Sequence, residues 1–150
     1  MKKQFTVLFE YERWANARIL DSITQLKDAD EKCLEIMAHI LLAQTVWYSR
    51  MDDKAAPPVW AKKSLEQCKE MNTVNNMQLA GFMAKQTDDT LARAVKYQNT
   101  KGDKFTNTVT QILTHLFNHS TYHRGQIVER LKGKLPVVPV TDYIAFLREE

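Results

Sequence analysis

Glycine, proline and cysteine are all scarce in this chain of 150 residues, which holds four, four and two of them. So few backbone breakers exclude a collagen-like or low-complexity chain, and they argue against a β-sandwich, which needs turn signals every ten residues or so. Cys33 and Cys68 match no zinc or redox spacing and are too few for a disulfide framework. No run of five or six cations occurs, and 21 basic against 18 acidic residues leave a net charge of only +3. A nucleic-acid or anionic-lipid partner is therefore not expected. No apolar stretch approaches the eighteen residues of a membrane span. The opening MKKQFTVLFEYERW is basic, but Glu10, Glu12 and Arg13 interrupt its apolar run and no small-residue cleavage site follows, so it does not read as a signal peptide. The expectation is a reduced, soluble, cytoplasmic domain with no membrane partner.

What is present is helical periodicity. Hydrophobic residues make up 44% of the chain, enough for a core in a single domain spanning residues 1–150. Phe5, Leu8, Phe9, Glu12, Ala15, Ile19 and Ile23 recur at three- and four-residue steps, which predicts a helix over 4–26. Asp28 and Glu31 have capping-box spacing before a second helix over 30–51, with Ile36, His39, Ile40, Ala43 and Val46 on one side. Pro57 and Pro58 open a loop through Trp60. Ser64 with Gln67 caps a third helix, and Thr108 with Gln111 caps a fourth that runs to Lys132 and stops at Gly133. Between them, residues 94–106 alternate and then offer the turn residues Asn99 to Asp103, which predicts a short hairpin or irregular segment. Thr141 to Arg148 reads as a short C-terminal helix. Four long amphipathic helices bury their stripes economically as an all-α four-helix bundle.

Three of the four histidines lie in nine residues, His115, His119 and His123. Steps of four rotate a helical side chain by only about 40°, so the three imidazoles share one side of the fourth helix and are expected to point inward. A single inward histidine is ordinarily a core residue bonded to a neighbour. Three on one stripe each need a donor and an acceptor, and an unpaired buried group costs about 1–3 kcal/mol. A divalent metal uses the lone pairs of neutral imidazoles directly, and histidines at i and i+4 suit one ion. His115 and His123 stand about 12 Å apart along the axis, too far to share an ion with bonds of about 2.0–2.1 Å. The candidate pairs are therefore His115 with His119, or His119 with His123. His39, on the apolar side of the second helix, is the available third ligand.

The run Leu116 to Ile127 (LFNHSTYHRGQI) resembles the signature of the DinB/YfiT-like family of metal-dependent proteins. Tyr11 to Asn16, His39 to Leu41 with Trp47, and Thr141 to Glu149 are similar to that family's other motifs, so the resemblance runs from end to end. It implies a four-helix bundle with a crossover connection, often a homodimer. It also implies a divalent ion, nickel or zinc, on His39, His119 and His123, with His115 left as a supporting or core residue.

Three histidine ligands leave an ion a position for water or substrate. Such an ion lowers the pKa of a bound water toward about 7 in favourable cases, and zinc and nickel also accept sulfur. By analogy with the wider superfamily, the expected activity is thiol-dependent S-transfer or hydrolysis on a small molecule, with a low-molecular-weight thiol such as bacillithiol or mycothiol as cosubstrate. The alternative is a non-catalytic metal- or ligand-binding bundle, or a stress-response protein with a structural metal. Around the site, Asn16 is a candidate hydrogen-bond partner, Tyr122 a residue packed between helices, and Arg124 an ion-pair member or anion contact. Glu10, Glu12, Glu35 and Glu129 are expected on solvated faces, so no carboxylate is placed as a general base.

Overall fold

The computed structural model describes residues 1–99 and 101–149. Its elements are α1 (Lys2–Thr24), α2 (Glu31–Met51), α3 (Leu65–Lys85), a single turn α4 (Asp88–Leu91), β1 (Ala94–Gln98), β2 (Lys104–Thr108), α5 (Val109–Leu131) and the short α6 (Tyr143–Phe146). The long helices form a bundle in which α1 and α2 each pack against α3 and α5. The β1–β2 hairpin is antiparallel, with Ala94 opposite Thr108 and Gln98 opposite Lys104. It belongs to the connection that carries the chain from α3 to α5. Thr100, within the expected turn, lies outside the described residues. No helix among the described residues is long and apolar enough to cross a membrane.

Local chemistry explains the helix ends. Ser64 with Gln67 and Thr108 with Gln111 both form complete capping boxes. The start of α2 differs from the Asp28–Glu31 expectation: Asp30 is the N-cap, its Oδ1 accepting from the Cys33 amide at 2.9 Å. Asp30 prevails because it is also buried beneath α5, where Arg130 forks onto it and Lys134 adds a second bond. The turn α4 was not expected. Thr87 and Thr90 cap it reciprocally, a pairing without the Glu or Gln that marks the usual box. Gly133, at φ +74°, takes the left-handed conformation just past α5.

The core has two apolar halves. Near the hairpin, Phe5, Phe9, Phe82, Leu113 and Phe117 pack together. At the far end, Ile19, Ile40, Leu41, Ile127 and Leu131 do the same. Between them lie the buried polar residues Glu12, Asn16, Gln44, Asn75, Ser120 and Arg124. The tail folds back onto α1, where the Tyr11 hydroxyl donates to the Thr141 carbonyl at 2.7 Å and Trp14 Nε1 donates to Glu149 at 2.8 Å.

Burial raises the Asp30 pKa, but its bonds to Lys134, the Cys33 amide and Arg130 outweigh this and hold it well below 3.8. The unfolded chain therefore binds the proton more readily. Asp30 should contribute its full stabilisation above pH 3.8 and lose it as pH falls below that value. In urea unfolding at stepped pH, Asp30→Asn should keep the cap and flatten this acid limb. Asp30→Ala should cost at least about 1 kcal/mol at neutral pH through the cap alone.

Candidate metal centre

The histidine row runs along the edge of the α5 core stripe. Taking Ser120 as the centre of that stripe, rotation of 100° per residue puts His123 about 60° away, His119 about 100° and His115 about 140°. Burial follows this order: His119 and His123 are half-buried and His115 is exposed. The expectation that all three rings point inward therefore fails for His115, because the 40° drift per step carries it out of the interface. His39 is buried on α2 and faces the other two.

His39, His119 and His123 each offer a ring nitrogen, and these atoms all lie within 4.8 Å of one another. The His39 and His119 Nε2 atoms are 3.0 Å apart. Two tetrahedral ligands on bonds of about 2.0–2.1 Å are separated by about 3.3 Å, so this spacing suits a shared ion. His115 is not in the group; its ring lies 5.6 Å from that of His119 and edge-on to Trp47 at 5.3 Å.

Hydrogen bonds orient the rings. His39 Nδ1 lies 3.3 Å from the Val59 carbonyl, and His123 Nδ1 lies 2.7 Å from Gln126 Oε1. The Val59 carbonyl accepts, so His39 Nδ1 carries the proton and its Nε2 turns a lone pair toward His119; the Gln126 side chain holds His123 by the corresponding nitrogen. His119 Nδ1 is buried with no partner, and the 3.0 Å contact between Nε2 atoms is its ring's one polar contact among the described residues. Burial, reinforced by the neighbouring His123, His39 and His115, pushes the His119 pKa down to about 4. Burial also lowers His39, against the bond to Val59. Burial makes His39 and His119 resist protonation, and three ring nitrogens gathered within 4.8 Å of one another fit a divalent cation.

The loop after α2 completes the site. Val59 orients His39, and the Trp60 indole stacks on the His39 ring at 3.7 Å with planes only 7° apart. An adjoining cavity of about 670 Å³ is lined by Ile36, Trp60, Tyr122, His123 and Gln126 among others. Sequence reasoning missed Val59, Trp60 and Gln126. The signal for Trp60 was present, an aromatic residue two positions after the Pro57–Pro58 pair, in a segment with no helical periodicity. Tyr122 was expected between helices, but it is 66% exposed, because it lies on the solvent side of α5, with its ring edge-on to His123 at 5.1 Å.

Arg124 and Asn16 belong to the buried polar layer. Arg124 Nη1 donates to Glu12 Oε2 at 2.7 Å and to Asn16 Oδ1 at 2.9 Å, and Gln44 donates to Glu12 Oε1 at 2.8 Å. Glu12 is thus not a solvated residue; like Arg124 it is 1% exposed. Burial lowers the Arg124 pKa, but the adjacent Glu12 carboxylate more than offsets it and the net shift is upward. Glu12 already sat on the apolar stripe of α1, which was the sign that it needed a buried partner. Glu35, one turn before His39, is exposed and paired with Lys32 at 3.0 Å.

A model of the DinB family matches residues 1–150. Among characterised proteins, Protein DinB of Bacillus subtilis (strain 168) is 24% identical, over 93% of this chain and 91% of its own length.

Two outcomes follow from this geometry. Arg124→Leu alone should cost roughly 3–5 kcal/mol by leaving Glu12 buried and uncompensated, whereas Glu12→Leu with Arg124→Leu should recover most of that loss in urea unfolding. In metal-free protein, the unfolded chain protonates His119 near its ordinary 6.5 while the folded chain resists to about 4. Stability should therefore fall as pH drops from 6.5 to 4, and His119→Leu should flatten that slope, which lies above the Asp30 window.

Proposed function

The chain belongs to the DinB family, and from that premise and the convergence of His39, His119 and His123 we propose that it is a metal-dependent enzyme that transfers a small-molecule substrate onto an external thiol. The ion is nickel or zinc, held by those three imidazoles. When bound, it would supply Lewis-acid polarisation of a substrate donor atom. The carrying observation is the all-imidazole donor set, with His39 and His123 bonded from behind to Val59 and Gln126.

The residues around the site favour thiol chemistry. Among the described residues, no carboxylate joins the histidine group. Glu12 is committed to Arg124, Glu35 is exposed and tied to Lys32, and Glu129, on the wall of the adjoining cavity, is exposed and paired with Lys132. A site without a carboxylate base is better matched to a thiol, with a pKa of about 8.5, than to water, at about 15.7. The chain's own thiols are unsuited to the role. Cys33 and Cys68 are fully buried, and burial pushes Cys68 up to about 11. The nucleophile is therefore a low-molecular-weight thiol, of which bacillithiol and mycothiol are examples, entering from solvent through the cavity beside Trp60 and Tyr122. The protein's work is to fix the imidazoles, shield His39 under the indole and present an apolar wall to the substrate.

Metal-dependent hydrolysis is the alternative reaction, supported by the same all-imidazole donor set. A non-catalytic, metal-holding bundle is the third reading, supported by the missing base. We place the enzyme in the cytoplasm as a homodimer; exposed Val137, Val140, Ile144 and Leu147 on the C-terminal segment support self-association.

Elemental analysis of protein never exposed to chelator should find about one nickel or zinc per chain, and His119→Ala should lose most of it. Metal-loaded protein should consume thiol with an electrophilic acceptor, and His119→Ala should fall to the uncatalysed rate. Ester turnover without thiol consumption would favour hydrolysis. Full metal occupancy with neither reaction would leave only the binding role.

A further inference from the structure

Arg50, in the last turn of α2, is the half-buried cation that the proposed reaction does not yet use. Of the arginines on the long helices, Arg13, Arg18, Arg124 and Arg130 each bond a carboxylate, and Arg50 does not among the described residues. Its guanidinium is held between two rings instead, 4.5 Å from the Trp47 centroid and 4.7 Å from that of Tyr97 on β1. Nη2 donates to the Gln98 carbonyl at 3.0 Å, while Nε and Nη1 have no acceptor among the described residues. Burial pushes its pKa down, against the influence of Tyr97. Arginine nonetheless stays charged, so the site carries an ordered, partly desolvated positive charge with free donors.

These donors border a cavity of about 330 Å³ lined by Val46, Val59, Lys96 and Tyr97 among others. Asp53 lines it too but does not bond Arg50, and Lys54 is taken by Asp52 at 2.5 Å. Two links join this cavity to the histidines. Val59, part of its wall, is the residue whose carbonyl holds His39. Trp47, under Arg50, is edge-on to His115, the ring next to His119.

We propose that Arg50, clamped between Trp47 and Tyr97, is an anion subsite that takes a carboxylate or phosphate group of the substrate whose reactive end reaches the histidine cluster. The assignment of that end rests on the function proposed above; the anion site itself does not. Nη2 keeps one N–H besides the one given to Gln98, and with the neighbouring Nε–H or Nη1–H it presents parallel donors that match two oxygens of either anion; the fixed plane leaves little orientational freedom to lose on binding. Lys96, on the same wall, adds charge without competing for the fork.

The test is calorimetric titration of phenyl phosphate, benzoate and uncharged benzyl alcohol into both metal-free and metal-loaded protein. At least one anion should bind at millimolar concentration or better, and benzyl alcohol should bind at least about tenfold more weakly. Arg50→Met should weaken that anion at least about tenfold without changing metal content. Arg50→Lys keeps the charge and loses the fork, and should weaken it by about threefold or more; it decides the matter if the methionine variant does not fold. The preferred anion identifies the oxyanion. No binding of either anion, equal binding of the alcohol, or binding unaltered in the arginine variants would overturn the subsite. Metal uptake with no Arg50-dependent binding would remove the subsite alone. Arg50-dependent binding in a protein that takes up no metal would keep the subsite and overturn the histidine reading.

Discussion

The buried ion pair between Glu12 and Arg124 is the constraint around which the bundle is organised. Both side chains are removed from water at the level where the two apolar halves of the core meet. Each is tolerable there only because the other is present, and because Asn16 and Gln44 occupy further hydrogen-bonding positions around the pair. The layer extends from Gln44 to Asn75, so all four long helices contribute to it. A slip of one helix along another would bury unpaired polar groups, whereas purely apolar stripes would tolerate it. The polar layer therefore fixes helix register at some cost in stability.

That register is what the histidines require. Arg124 turns into the core, and its neighbour His123 lies about 100° around α5, at the seam with α2. His119 follows one turn earlier. Gln44 in the polar layer and His39 at the seam are five residues apart on α2, so the same helix carries both sets. The histidine cluster sits close to the level of the buried pair because the two share helices, and the pair holds those helices at a fixed height.

The chemistry of the site follows from its partial burial. At the edge of the core, burial holds His39 and His119 below the ordinary imidazole pKa, yet one side of the cluster still faces a cavity. Val59 and Trp60 achieve this with a loop, which supplies a carbonyl behind His39 and an aromatic cover over its ring. The two cysteines lie in apolar surroundings that disfavour the thiolate, so neither is suited to act as a nucleophile.

Much of this was legible in the sequence, because periodicity and capping are local. The long helices, the hairpin, the Ser64 and Thr108 caps and the crowding of histidines on one helix all follow from spacing within a few residues. The choice of His119 with His123 over His115 with His119 did not follow from spacing. It depends on where the seam with α2 falls, a matter of a 40° rotation that packing decides. The same holds for Asp30 replacing Asp28 as the cap, since its advantage comes from Arg130 and Lys134 a hundred residues away. Glu12 finding Arg124, Val59 orienting His39 and Arg50 lying between Trp47 and Tyr97 are likewise pairings between distant segments. The chain alone determined which histidines are candidates for chemistry and on which helices they lie. Only the tertiary structure decided which of them meet, because hydrogen bonds and coordination depend on separations of a few ångströms that no sequence distance encodes.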